Sequence, residues 1–134
     1  MKNPVIALFG ESQKGSYNTL IHIRSLIELS DHFGEPIGDS SAINLAIQAL
    51  HFQKELIFMR VKEEGYNFSD YLKGIELLEK ATIKINLVAI CLPGVGHGEI
   101  IEETFKLCEK RGSLFIASPQ DLYDYLTDRP YKIY

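Results

Sequence analysis

Val5-Ile6-Ala7-Leu8-Phe9 is apolar at every position, and Glu55 to Val61, Ile85 to Leu92 and Ser113 to Ala117 are further strand-length stretches dominated by apolar residues. A strand without polar alternation is covered on both faces, the habit of parallel sheets packed between helices. The intervening segments carry the helical period instead. Tyr17 to Asp31 sets Leu20, Ile23, Leu26 and Ile27 against Arg24, Glu28 and Asp31, which predicts a first crossover helix ending at Gly34 and Pro36.

Asp39-Ser40-Ser41 offers an N-cap for a second helix over Ala42 to Phe52, apolar almost all round except for the line Asn44, Gln48 and His51. A third helix, capped by Asn67 or Ser69, runs to about Ala81. A fourth, Glu99 to Lys110, stops at Gly112. Ser118-Pro119-Gln120-Asp121 starts the last, with a serine cap, proline in the first position and an acid at the third. Asp128 to Tyr134 has no period, yet its tyrosines and isoleucine suit a contact with the body or a neighbouring chain.

Strands alternating with helices predict α/β architecture: a single three-layer Rossmann-like sandwich over residues 1–134, with a mainly parallel sheet of about four strands and right-handed crossovers. The turns leaving the strand C-termini then share one end of the sheet: Gly10 to Ser16, Arg60 to Tyr66, Pro93 to Gly98 and Ser118 to Asp121. A ligand belongs there.

Charge narrows the chemistry. With a net charge of -4 and its 14 Lys and Arg scattered, the chain lacks the basic face that nucleic-acid binding requires. No apolar run is long enough for a membrane span or a signal-peptide core. Two cysteines, Cys91 in a strand and Cys108 in a helix, make neither a disulfide framework nor a zinc pair, so a cytoplasmic location is expected. The nearly all-apolar second helix and small sheet predict a homodimer.

The first loop, Gly10-Glu11-Ser12-Gln13-Lys14-Gly15-Ser16, falls one residue short of the phosphate-binding P-loop frame, and Lys14 precedes Gly15, which excludes an ATPase of that class. What its residue types support is a generic anion site. Gly10 and Gly15 permit close approach, Ser12, Lys14 and Ser16 donate, and Arg60 and Lys62 add charge from the next strand end. Gly94-Val95-Gly96-His97-Gly98 misses the dinucleotide fingerprint because the third glycine comes early and Glu99 stands in its place. Gly94 and Gly96 are retained as residues that let a backbone pass close to a ligand.

His97 is the histidine best placed for chemistry, in a glycine-rich loop at the ligand edge, and Glu11 is its candidate acid-base or nucleophilic partner. Cys91, inside a strand, reads as a buried apolar residue, and the spacing of His97, Glu99 and Glu102 makes a poor metal set. The pattern disfavours a phosphoacceptor receiver, which needs acids after the first strand, an Asp ending the third and a Lys ending the last: Glu11 alone is acidic, and the later strands end in Arg60, Leu92 and Ser118. No residue pattern specifies a cofactor. The leading expectation is a binding protein for an anionic, phosphorylated or nucleotide-like molecule at the sheet's C-terminal edge. The alternatives are a hydrolase or glycosyl-transferring enzyme using Glu11 and His97, and a ligand-free interaction module.

Overall fold

In a computed structural model that describes residues 3–81 and 84–127, ten elements follow in the order β1 (Pro4–Gly10), β2 (Leu20–Ile23), α1 (Leu26–Phe33), α2 (Ala42–His51), β3 (Glu55–Arg60), α3 (Phe68–Ala81), β4 (Asn86–Cys91), α4 (Gly98–Arg111), β5 (Leu114–Ile116) and α5 (Pro119–Thr127). The five strands form one sheet in the order β2-β3-β1-β4-β5. Four of them run parallel, and β2 pairs antiparallel with β3 at the edge. The fold is the expected three-layer α/β sandwich, with one strand more than the apolar pattern counted.

That extra strand corrects the first helix. Leu20 to Ile23 is extended, with Ile21 facing Phe58 and Ile23 facing Leu56, and the helix begins only at Leu26. The apolar positions 20, 23, 26 and 27 satisfy a helical period, but Leu20-Ile21-His22-Ile23 also alternates: Ile21 and Ile23 pack with one core cluster, and Leu20 with the other. Ser25 breaks the segment in two. Its side chain accepts the Glu28 N–H and so fixes the helix start after the strand. The boundary chemistry outweighs the period.

The starts of α3 and α5 agree with their signals, whereas Ser41 stands at the N-cap position of α2 without a side-chain cap. Asn67 Oδ1 accepts the Asp70 N–H ahead of α3, and Ser118 Oγ accepts the Asp121 N–H ahead of Leu122. Along β1, Ile6 and Leu8 face a cluster closed by α1, α2 and α5, whereas Val5, Ala7 and Phe9 face α3 and α4. β1 is therefore buried on both sides. The terminal stretch 128–134, read above as a contact segment, lies outside the described residues. Among the described residues no helix is long and apolar enough to cross a membrane.

Strand order decides which loops meet. The connection leaving β1 carries α1 and α2 to one face, while that leaving β4 carries α4 to the other. The chain diverges between the C-terminal ends of these neighbouring strands, the position where open α/β sheets form a crevice.

Candidate functional site

At that crevice the loop after β3 leans across the end of β1 and joins it through a reciprocal pair of hydrogen bonds from main-chain N–H to side-chain carboxylate. The Glu11 N–H donates to Glu64 Oε1 at 2.9 Å, and the Glu64 N–H donates to Glu11 Oε2, also at 2.9 Å. Ser40 Oγ donates to Glu64 Oε1 at 2.7 Å, and the Ser41 N–H to Glu64 Oε2 at 2.7 Å. Ser41 occupies the N-cap position of α2 but makes no side-chain cap. Glu64 supplies the negative charge that this helix end favours. The carboxylate thus sits where a switch-point sheet commonly holds a bound anion.

Two glycines permit this arrangement. A Cβ on Gly10 would collide with the Ala42 side chain and the Glu64 carboxylate, so only glycine lets the start of α2 and Glu64 close over the strand end. Gly65 has φ +87, and a Cβ there would meet the Gly94 backbone at 2.6 Å. The loops after β3 and β4 therefore touch main chain to main chain. Tyr71, fully buried under them, accepts the Gly65 N–H at 2.6 Å. Burial raises its phenol well above the ordinary value, against that hydrogen bond and with Glu64, Glu11 and Asp70 adding to the rise, so it is protonated.

The first loop leads into β2, so no helix N-terminus follows it. The Gln13 and Lys14 N–H groups both donate to Phe33 O, at 3.1 and 3.3 Å, and buried Ser12 donates its hydroxyl to Lys14 O at 2.8 Å. Arg60 also turns inward. Its Nη1 donates to Gly15 O at 2.7 Å, its guanidinium lies 4.2 Å from the Tyr17 ring centre, and its carbonyl accepts the Asn18 N–H. Asn18 adopts a left-handed φ of 55 to make that turn. Gly15 and Ser16 are exposed, and Lys14 and Lys62 are the exposed cations of this edge that form no ion pair among the described residues.

His97 is the N-cap of α4: Nδ1 accepts the Glu99 N–H at 3.2 Å, and the ring packs on Phe68 with centres 4.5 Å apart. A neutral His97 in this arrangement carries its proton on Nε2, which faces outward as a donor. Among the described residues no hydrogen bond or ion pair joins it to Glu11. Gly94 is held against β5 through the Ala117 carbonyl, whereas space is open around Gly96 and Gly98. Cys91 is fully buried, and desolvation, with Glu64 and Asp121 adding to it, pushes its thiol up to about 12. It is a thiol at neutral pH and no nucleophile.

Glu64 is the residue that the sequence pattern did not single out. Its signal was an acid beside a glycine at two strand ends, Gly10-Glu11 and Glu64-Gly65, which becomes meaningful only once β1 and β3 are neighbours. Among the described residues no three His, Cys, Asp or Glu side chains group as a metal site would need. Comparison with known protein families, with curated proteins and with solved structures returns no match.

Proposed function

We propose that the chain is a small-molecule binding protein whose ligand lies at the C-terminal edge of the sheet, between the loops after β1 and β4. The observation that carries the reading is the Glu11 carboxylate: Oε2 is fixed on the Glu64 N–H, while Oε1 takes no hydrogen bond among the described residues. A fixed carboxylate with one oxygen to spare recognises hydroxyl groups, as on a ribose. Open space beside Gly96 and Gly98 gives such a ligand room.

The ligand's anionic group falls to Lys14 and Lys62 at the rim, because Glu64 already occupies the start of α2 and Arg60 is bonded to Gly15. With Glu11 and Glu64 at the centre, charge repulsion favours a singly phosphorylated sugar or nucleoside over a triphosphate. Isothermal titration with nucleoside monophosphates tests this. Binding that weakens about tenfold in Lys14→Gln and falls with added salt supports it. No heat with any nucleoside or sugar phosphate, or affinity unchanged in Lys14→Gln, ends it.

A hydrolytic or glycosyl-transferring use of the same edge has one observation in its favour: two carboxylates, Glu11 and Glu64, each accept the other's main-chain N–H. In that reading Glu64 takes the partner role first assigned to His97. Product release from a nucleoside or sugar phosphate, abolished in Glu11→Gln, is its test. The cytoplasm suits two buried free thiols, Cys91 and Cys108. The homodimer reading places the partner copy on the outer edge of β5, where Phe105 and Leu114 are 55 % and 53 % exposed beside a groove of about 600 Å³. A Leu114→Lys variant that leaves the sedimentation mass unchanged removes it.

A further inference from the structure

The opposite end of the sheet holds a separate polar cavity of about 290 Å³, near the small end of the range for ligand pockets, about 300 to 1,000 Å³. Asn3, His22, Arg24, Glu55, Lys84 and Asn86 supply its polar lining, and Val5 and Ile85 its apolar part. Four separate stretches of chain converge there: the start of β1, the end of β2, the start of β3 and the entry to β4.

Among the described residues lining it, Glu55 is the one carboxylate, and each of its oxygens takes one hydrogen bond. Glu55 Oε2 accepts Asn3 Nδ2 at 2.5 Å and Oε1 accepts His22 Nε2 at 2.7 Å, while Arg24 Nη2 lies 3.3 Å from His22 Nδ1. The chain of donors runs Arg24 to His22 to Glu55. A neutral His22 so placed carries its proton on Nε2, and its Nδ1 lone pair is engaged, so the ring is no general base. Arg24 reaches Glu55 only at 3.9 Å, from a side chain 59 % exposed. Lys84 forms no ion pair among the described residues. Arg24 and Lys84 against Glu55 leave the described lining one positive charge in excess, and Glu55 is hydrogen-bonded to Asn3 and His22 rather than to either cation.

We propose that this cavity is a binding site for a small oxyanion, a phosphate or carboxylate group held between Arg24 and Lys84 with the Asn86 amide beside them. The excess charge, the converging donors and the size all select a compact anion over a nucleobase or an apolar molecule. The site is independent of the candidate edge, since it shares no residue with it.

The test is an amide ¹H–¹⁵N titration of the full chain at constant ionic strength, with inorganic phosphate, with malonate and with glycerol as an uncharged control. Saturable shifts at Arg24, Lys84 and Asn86 with phosphate or malonate, and none with glycerol, are expected. Whichever anion saturates identifies the group recognised. Lys84→Gln, an exposed position, weakens that binding about five- to tenfold, while Lys73→Gln, an equal loss of charge on α3, leaves it unchanged. Shifts that stay linear up to about 10 mM, that gather around Lys14 instead, or that survive unaltered in Lys84→Gln overturn the proposal.

Discussion

Replacing Glu64 with alanine deletes one carboxylate and, with it, the acceptor for three donors: the Glu11 N–H, the Ser40 hydroxyl and the Ser41 N–H. Hydrogen bonds to a charged group contribute about 1.5 to 3 kcal/mol when buried, but Glu64 is only half-buried, so about 1 kcal/mol each is the fair figure. The sum, about 3 kcal/mol, includes the start of α2, which has no other side-chain cap and would lose roughly 1 kcal/mol by itself. For a chain of this length that corresponds to a fall of roughly 10 °C in Tm. Urea unfolding followed by circular dichroism measures it directly. Glu64→Gln keeps one acceptor oxygen and presents an amide where a second is needed, so it lands near half the alanine value, about 1.5 kcal/mol. Glu11→Ala removes only the acceptor of the Glu64 N–H and costs about 1 kcal/mol. A Glu64→Ala loss under about 1 kcal/mol, or one no larger than that of Glu11→Ala, refutes the assignment of Glu64 as the clasp of this edge.

Gly65→Ala forces a Cβ against the Gly94 backbone at a positive φ and lowers stability by about 2 to 3 kcal/mol in the same assay; a neutral result means the two loops are not in main-chain contact. The Asn3 hydrogen bond, opposed by burial and joined by the hydrogen bond and charge of His22 and by the charge of Arg24, holds the Glu55 carboxyl below its ordinary value of 4.5. Its contribution to stability is therefore complete above that value and disappears as pH falls through the lower folded one, so from about pH 5 to pH 3 wild-type stability drops more steeply than that of Glu55→Gln. Parallel curves for the two contradict it. Burial pushes the thiols of Cys91 and Cys108 up to about 12 and about 11, so neither reacts with a disulfide reagent at pH 8 until the chain unfolds. Rapid labelling of the native protein would show one of them accessible.

Much of the sheet was legible because each strand announced its own environment: Val5 to Phe9 had no polar face, and both faces of β1 are indeed covered. Helix starts were legible where a side chain near the start does the capping, as Asn67 and Ser118 do. β2 was not, since four residues satisfy either period and the decision rests on Ser25. At the candidate edge a different limit applies: the residue pattern names donors but not what already engages them. Ser12 and Arg60 are donors of the right type, yet their acceptors, Lys14 O and Gly15 O, are main-chain atoms that no residue pattern advertises. Glu64 reaches Ser40 across 24 positions, a relation that exists only after strand order is known.

Phe33 O, at the last residue of α1, is the shared anchorage of two successive amides from the first loop. A single carbonyl serving both means that they are released together: fraying of the final turn of α1 unlocks Gln13 and Lys14 in one event, and in a hydrogen-exchange experiment their protons are lost with a common opening rate. Whatever grips Lys14 from outside thereby tightens a helix end some twenty residues further along the chain.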